Sequence, residues 1–442
     1  MAPGLAVTTF GFDSAVSRRH AEPPDALSMR KEAIIMKHTV IKLGGSVLRG
    51  AGDAQAILGV LEGYRGPLVV VVSALKGVTD RLAAALSSGA RRAELVCELR
   101  EEYEGFARAF AVPLAAEAAA LAQIGRLLAG LERLLASGCA SPGGLNAGVD
   151  DNERRARVLA TGERLSAVCL SLALLSIGRP APVIEPGRLG LVARRADVDA
   201  DDALADMGAS APRVRAALGA RDAAVVPGFY GVGEDGAHRL FGRGGSDYSA
   251  AVVAACLGAK SCDLIKDVAG LYTADPAIVR DARLVAELNY EEAEALAQGG
   301  ARILHQPCVP PLRAAGVPLR ILGYSGPRVR TRVGPGHPRG LPGPRALAIK
   351  RGPVACAEIT VAGSGCASKS AASVLKAFEA SGFQARAFFP APDMASFRIL
   401  VEASRGDEAL RVAHEALFGE RLAVRGQEPE RRSALAEAGG VA

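Results

Sequence analysis

The strongest constraint on the fold is a short apolar run, Leu68–Val72, in which four valines follow a leucine without interruption. A strand with one solvated face alternates apolar and polar residues, whereas an unbroken branched run indicates a strand buried on both faces. Such strands belong to parallel sheets that helices cover on both sides. We therefore predict an α/β fold, whose further strands are expected at Thr39–Leu43, 223–227, 263–265 and 318–321.

Helical segments separate these strands. Residues 82–135 are rich in Ala, Leu, Glu and Arg, which predicts two or three helices, and a further helix is predicted over 151–176. A helix over 246–257 is expected to be capped by Ser246 or Asp247, and another is expected over Tyr290–Gln298. In open α/β sheets, ligands bind beyond the carboxyl ends of the strands, so we expect the functional residues in the turns there.

The length of the chain, 442 residues, exceeds that of a usual single core and predicts two or three domains. We predict a catalytic domain over 36–325, with a helical insertion at 82–158, and a Gly/Pro/Arg-rich linker over 326–346. Residues 1–35 lack an apolar pattern and are interpreted as a disordered leader or a mis-assigned start. Residues 427–442 are interpreted as a frayed tail.

A second module is predicted over 347–426. Its pattern gives strands at 354–362, 383–389, 396–403 and 421–425, and helices at 368–381 and 406–418. This βαββαβ order is typical of a ferredoxin-like domain.

Composition argues against several classes of protein. The 53 basic and 47 acidic residues give a net charge of +6, and no patch combines aromatic with basic residues, so no nucleic-acid partner is expected. No apolar run approaches the roughly 18–20 residues of a transmembrane helix, so no membrane partner is expected. Eight scattered cysteines without a C-x-x-C pair predict reduced thiols in a cytoplasmic protein.

Two glycine-rich turns carry the residues that point to chemistry. The first strand ends in Lys42-Leu-Gly44-Gly45-Ser46, where bare backbone lets a phosphate approach closely and Lys42 supplies a charge. A solvated lysine after a strand is an equally good explanation. The second turn, Gly242 to Ser249, holds Arg243 and Asp247 close together. Arginine forms a planar fork for a carboxylate and aspartate can pair with an amino group, so the two fit the head group of an α-amino acid.

Other polar residues are compatible with binding or with local structure. Ser73 and Thr79 flank a turn and could hold a carboxylate, or they could cap that turn. Glu163 lies near a predicted helix start, where an acid is favoured by the helix dipole, and it could also pair with an ammonium group. After the strand at 263–265, a further turn carries Asp267, Tyr272 and Asp275.

Taken together, these motifs resemble those of aspartate kinases in the amino-acid-kinase superfamily. The resemblance covers about residues 40–325. Its motifs are, in order, K-L-G-G-S at 42–46, V-V-S-A-L-K-G-V-T at 71–79, G-E-R-L-S-A at 162–167, G-R-G-G-S-D-Y-S-A at 242–250, K-D-V-A-G-L-Y-T-A-D-P at 266–276 and G-A-R-I-L-H-Q at 300–306.

The resemblance implies a three-layer αβα sandwich with a mainly parallel sheet and a C-terminal ACT-like domain. It implies transfer of the γ-phosphoryl group of ATP, with Mg²⁺, to the β-carboxylate of L-aspartate. Lys42 and Asp247 would be catalytic, and the residues implied to bind aspartate are Ser73, Thr79, Glu163, Arg243 and Asp247. Those implied to bind ATP are Lys42, Gly44, Gly45, Ser46, Lys266, Asp267, Tyr272, Asp275 and Arg302. No protein metal site is implied.

The resemblance also implies partners. ACT-like domains pair edge to edge, so a homodimer is expected, with a possible amino-acid effector. Departures from the family pattern concentrate at the nucleotide site: Lys266 replaces a threonine, Ala277 an arginine and Arg302 a lysine. We hypothesise that ATP binding is retained but altered.

Two alternatives stay open. Another amino-acid kinase, acting on glutamate or acetylglutamate, would share K-L-G-G-S. A catalytically weak regulatory paralogue that binds amino acids would explain the altered nucleotide residues.

Overall fold

A computed structural model describes residues 37–87, 91–137, 151–195, 202–268, 270–301, 303–324, 329–336, 343–352, 355–365, 367–392 and 395–419. The predicted leader at 1–35, the strand at 421–425, the tail at 427–442 and Arg302 lie outside these residues.

The helices and strands up to the middle of the chain are β1 (Thr39–Leu43), α1 (Ala54–Glu62), β2 (Leu68–Val72), α2 (Val78–Ser87), α3 (Arg92–Arg108), α4 (Leu114–Ser137), α5 (Asp151–Leu159), α6 (Thr161–Ser176), α7 (Pro186–Leu189), β3 (Ala193–Arg194), β4 (Leu204–Ala205), α8 (Met207–Leu218) and β5 (Ala223–Pro227). Those that follow are β6 (Tyr230–Val232), β7 (His238–Leu240), α9 (Gly245–Leu257), β8 (Ser261–Lys266), β9 (Glu287–Asn289), α10 (Tyr290–Gln298), α11 (Val309–Ala315), β10 (Leu319–Gly323), β11 (Val329–Gly334), β12 (Ala346–Arg351), β13 (Cys356–Ala362), α12 (Ala367–Ala380), β14 (Ala387–Pro390), β15 (Ser396–Glu402) and α13 (Gly406–Phe418).

The central sheet has seven strands among the described residues, in the order β5-β2-β1-β8-β10-β11-β9. Strands β5, β2, β1, β8 and β10 run parallel, whereas β11 is antiparallel to β10. The prediction of an α/β fold with a mainly parallel sheet is confirmed. Alternate residues of β2 explain its unbroken apolar run: Leu68, Val70 and Val72 enter one hydrophobic core, and Val69 and Val71 enter the core on the opposite face.

The predicted cap of the helix after the glycine-rich turn is wrong. Helix α9 begins at Gly245, and its N-cap is Gly244, which has φ 73° and makes no side-chain capping bond. Glycine adopts this left-handed conformation without strain. Ser246 and Asp247 therefore lie inside the first turn, and the Asp247 carboxylate pairs with two lysine side chains instead of capping the helix. The helix predicted over 151–176 also divides at Ala160, into α5 and α6.

Part of the predicted linker over 326–346 belongs to the central sheet. Val329–Gly334 forms β11, because its backbone pairs with β10. The buried Thr331 hydroxyl anchors it, donating to the Val285 carbonyl (2.7 Å) and accepting from the Leu271 amide (2.9 Å). Gly/Pro/Arg-rich composition thus misled the prediction at a strand near the edge of the sheet.

The second module is a four-stranded antiparallel sheet in the order β12-β13-β15-β14. Elements β13, α12, β14, β15 and α13 follow the predicted order, and Gly406–Phe418 matches its helix prediction. Strand β12 was not predicted: it begins at the boundary between the predicted linker and the predicted second module, ahead of the first strand expected there at 354–362. It lies beside β13 at the edge of the described sheet.

The second module packs on the loop that follows β8. His414 Nε2 on α13 shares a hydrogen bond with the Thr273 hydroxyl (2.9 Å), and Arg411 Nε donates to the Ile278 carbonyl (3.1 Å). The amide of Leu347, on β12, donates to the carbonyl of Thr273 (2.7 Å). The module therefore supports one wall of the region beyond β8.

Two described helices, Leu114–Ser137 and the stretch Asp151–Ser176, are long and apolar enough by length and composition to cross a membrane. No apolar run of that length was expected from the sequence. In the second stretch, 83% of the most apolar window is buried inside the protein, as in the core helix of a globular domain.

Candidate functional site

The site lies where three neighbouring elements end or begin: β1, β8 and the start of α9. Lys42 is the fourth residue of β1 and lies opposite Leu264 of β8 in the register of the sheet. Lys266 is the last residue of β8. Asp247 lies in the first turn of α9. Because β1 and β8 are parallel neighbours, both lysines reach the same edge of the sheet.

Asp247 joins the two lysines. Its carboxylate forms an ion pair with Lys42 Nζ and accepts a hydrogen bond from Lys266 Nζ (2.7 Å). Lys42 and Asp247 are only 7% and 5% exposed. Burial by itself would raise the pKa of Asp247, but the charges of Lys42 and Lys266 outweigh it and hold the pKa well below its usual range. Asp247 is therefore ionised at neutral pH.

The Lys42 ammonium depends on this partner. Burial lowers its pKa below the usual value, and the Asp247 carboxylate opposes that shift. The backbone at Gly44 leaves room for it, since a Cβ there would lie 2.7 Å from Lys42 Nζ. The second glycine-rich turn is equally close-packed: a Cβ on Gly244 would lie 2.4 Å from the His305 ring.

A first cleft of about 510 Å³ opens beside Lys42. It brings together the residues that the sequence predicted for substrate binding: Ser73, Thr79, Glu163 and Arg243. Sequence reasoning missed others in its lining: Lys76, Asp80, Arg155 and Asp202. Lys76 and Asp80 could have been found, because they lie within or next to the predicted turn at 73–79.

Glu163 is the buried acid of the first cleft. It is 3% exposed, and among the described residues its Oε2 has no hydrogen-bond partner. Burial raises its pKa to about 7, against the lowering effects of the backbone amides of Ala74 and Glu163 and the charge of Lys42. A buried carboxylate oxygen without a partner is costly and suits a cationic ligand.

Gly162 sets the position of Glu163. A Cβ at Gly162 would lie 2.5 Å from the Ala74 Cβ and 3.0 Å from Val78 Cγ1, so only glycine lets α6 approach the loop after β2.

We expect Gly162→Ala to destabilise the fold by about 1–3 kcal/mol, because the added methyl overpacks this contact, and to raise KM for the ligand that Glu163 contacts. Urea unfolding measures the first effect. Gly59→Ala is the matched control: its Cβ meets nothing within 4 Å in helix α1, so it should be stabilising by about 0.5–1 kcal/mol. Equal stability of the two variants would contradict the packing argument.

A second cleft of about 430 Å³ has Lys266 in its lining. Its lining includes the predicted nucleotide residues Ser46, Lys266, Asp267, Tyr272 and Asp275. Lys42 and Gly45, also predicted for the nucleotide, line the first cleft instead. Gly44 lines neither.

The second module contributes to this second cleft, which the sequence did not indicate. Leu347, Ile349 and Arg351 of β12 form part of its lining. No local motif marks these residues, because β12 reaches the cleft only through tertiary packing.

The arrangement has a chemical consequence. Lys42 lines one cleft, Lys266 lines the other, and the Asp247 carboxylate holds both lysines. Two ammonium groups held together in this way can neutralise a phosphoryl group that passes from one cleft to the other.

The amino acid kinase family model matches residues 37–323 of this chain. An aspartokinase of Chlamydia pneumoniae is 30% identical over 289 residues, covering 64% of this chain and 60% of the relative. An aspartokinase of Thermus thermophilus is 35% identical over 164 residues, covering 36% and 39%. The bifunctional aspartokinase/homoserine dehydrogenase of Haemophilus influenzae is 36% identical over 182 residues, covering 41% and 22%. The chain thus spans less than two thirds of the length of these relatives.

Solved structures show the same fold. Aspartokinase III of E. coli in complex with aspartate and ADP superposes with a TM-score of 0.71 at 20% identity, covering 86% of this chain and all of that chain. Its complex with lysine and aspartate gives 0.68 at 20% identity, covering 86% of this chain and 99% of that one. At these identities the likeness is one of fold.

Proposed function

The chain belongs to the amino acid kinase family, and we propose that it is an aspartate kinase. It transfers the γ-phosphoryl group of ATP to the β-carboxylate of L-aspartate, giving 4-phospho-L-aspartate, the first step towards the aspartate family of amino acids. The observation that carries the proposal is the carboxylate of Asp247, which pairs with Lys42 of the first cleft and Lys266 of the second. The aspartokinase relatives support the choice of substrate.

The first cleft would hold L-aspartate. The Arg243 guanidinium provides a planar fork for the α-carboxylate. Glu163 supplies a buried acceptor for the α-ammonium, whose charge would stabilise the ionised form of Glu163. Ser73 and Thr79 add hydroxyl donors in the same cleft. The β-carboxylate then points towards Lys42.

The second cleft would hold ATP, with Asp267, Tyr272 and Asp275 around the nucleotide and Lys266 at its phosphate end. Lys42 and Lys266 stabilise the charge of the phosphoryl group in transit, and Asp247 orients both ammonium groups. A carboxylate is already an adequate nucleophile, so no general base is required. Mg²⁺ bound to the ATP phosphates would supply further charge neutralisation; in the described part of the chain, no three His, Cys, Asp or Glu side chains cluster as a metal site.

A hydroxamate assay tests this proposal. With Mg-ATP, L-aspartate and hydroxylamine, we expect an acyl phosphate to form and be trapped as aspartyl hydroxamate, and Lys42→Ala to abolish the signal because it removes a charge from the transition state. Product from L-glutamate instead would indicate a different kinase of the family. Absence of product with either substrate in folded protein would favour a regulatory paralogue.

We further infer a cytoplasmic homodimer that forms through the second module, with a binding site for an amino-acid effector at the interface. Strand β14 lies at the edge of the sheet that the described residues form, and Phe388 and Phe389 on it are 39% and 44% exposed. An open strand edge with exposed aromatic side chains favours pairing with another chain.

Sedimentation velocity checks the dimer. Phe389→Lys places a charge on the open edge and should shift the protein towards monomer. Leu114→Lys, at a residue of α4 that is 84% exposed, is the control and should leave the sedimentation coefficient unchanged. A wild-type monomer at micromolar concentration would contradict the inference.

A further inference from the structure

A third cleft, of about 670 Å³, lies between helix α4 and the successive helices α5 and α6, apart from the two clefts of the proposed active site. Its charged lining consists of four arginines and one acid: Arg126, Arg133, Arg157, Arg164 and Glu185. None of these arginines lines the first or the second cleft. The proposed kinase reaction therefore gives them no role.

The spacing of these residues explains why they converge. Arg126 and Arg133 on α4 are seven residues apart, and Arg157 and Arg164, on α5 and α6, are also seven apart. A separation of seven residues is about two helical turns, so Arg126 and Arg133 project from one face of α4. Arg157, near the end of α5, and Arg164, in the first turn of α6, line the same cleft, because α4 packs against both of these helices.

The positive charge of the cleft is only partly compensated. Arg164 Nε donates to Glu185 Oε1 (3.0 Å), and Arg157 lies 4.0 Å from Glu153. Arg133 Nε donates to the carbonyl of Ala129 in its own helix (3.3 Å). Within the described residues, neither Arg126 nor Arg133 has an acidic partner. Two guanidinium groups are thus available for a ligand.

Part of the lining of the cleft is apolar or lacks a side chain. Gly130 lies midway between Arg126 and Arg133, and a Cβ there would meet nothing within 4 Å. Leu127 and Leu131 line the same region. A glycine inside a helix costs about 1 kcal/mol relative to alanine, so Gly130 lowers the stability of α4 while leaving space in the cleft.

We propose that this cleft is a binding site for a small multivalent anion, a phosphate compound or a polycarboxylate. A guanidinium group can donate two parallel hydrogen bonds to two oxygens of a phosphate or a carboxylate. The cleft volume lies within the range of small-ligand sites, roughly 300–1,000 Å³. Its lining shares no residue with the proposed ATP cleft, and its Arg164 directly follows Glu163 of the first cleft.

Isothermal titration of the full chain with pyrophosphate and with citrate tests the proposal. We expect saturable binding of at least one of the two, and the preferred anion identifies the phosphate or the carboxylate class. Arg126→Ala/Arg133→Ala should weaken binding by at least about tenfold, because each change removes a charge-assisted contact. Gly130→Leu keeps all four arginines and fills the cleft, so it should also abolish binding.

Two controls locate the bound anion. Arg65→Ala/Arg221→Ala removes two exposed arginines outside the cleft and should leave the affinity unchanged. Lys42→Ala separates this cleft from the proposed ATP site and should also leave it unchanged. The proposal is overturned if folded wild-type protein binds neither anion, if Gly130→Leu binds normally, or if either control loses as much affinity as Arg126→Ala/Arg133→Ala.

Discussion

Asp247→Asn is expected to lower kcat by about a hundredfold to a thousandfold, because it removes the buried carboxylate that holds two ammonium groups in place. Without this partner, the buried Lys42 and the nearby Lys266 repel each other. The pKa of Lys42, already lowered by burial, should fall further. Initial-rate measurements across pH should show part of the lost activity returning as the pH is lowered, since Lys42 then regains its proton.

Stability supplies an independent readout of the same contact. Breaking a buried ion pair costs about 3–5 kcal/mol when one charge is left behind, so Asp247→Asn should unfold at lower urea concentration. Lys42→Met/Asp247→Asn removes both charges and should recover most of that loss. If the double variant is as unstable as the sum of its single variants, Lys42 and Asp247 are not energetically coupled.

Glu163→Gln is expected to raise KM for L-aspartate by about tenfold to a hundredfold, because it removes a charge-assisted hydrogen bond to the substrate ammonium. KM for ATP should change little, because Glu163 lines only the first cleft. For wild-type protein, KM for L-aspartate should rise as the pH falls below about 7, the pKa to which burial raises this carboxyl. Glu132→Gln, at an exposed residue of α4, is the control and should leave both KM values unchanged.

The same carboxyl predicts how stability depends on pH. Its pKa is about 7 in the folded protein, whereas a glutamate in the unfolded chain has the ordinary pKa of 4.5. Between these two pH values the folded state therefore binds more protons than the unfolded state. Stability should therefore fall as the pH rises through this window, by about 3 kcal/mol in total. Urea unfolding of wild type and Glu163→Gln at several pH values measures the difference. A difference that does not vary with pH would show that Glu163 is not buried as described.

Much of the fold over residues 37–323 could be predicted from short stretches of sequence. The apolar runs of β1, β2 and β5 and the helix Tyr290–Gln298 depend on local patterns. The capping box formed by Asn289 and Glu292 is a contact between residues three apart. Ser73, Thr79, Glu163 and Arg243 were predicted from glycine-containing motifs, and all four line one cleft.

Other features depend on partners far away in the chain. Strand β11 exists because β10 and the Val285 carbonyl satisfy its hydrogen bonds, although its composition is that of a linker. From sequence alone Asp247 resembles a helix cap. The structure shows that it pairs with Lys42, which lies 205 positions earlier in the chain. Arg302 and the strand expected at 421–425 stay predictions, since they lie outside the described residues.

The residue types and the parallel sheet follow from local pattern, because burial on both faces demands unbroken apolar strands and close approach demands glycine. Which charged side chains pair with one another follows from packing. Only the adjacency of β1 and β8 brings Lys42 and Lys266 to one carboxylate, and only the docking of β12 adds Leu347 and Ile349 to the second cleft. The physical reason is that hydrogen bonds and ion pairs act over a few ångströms in space, whatever the separation along the chain.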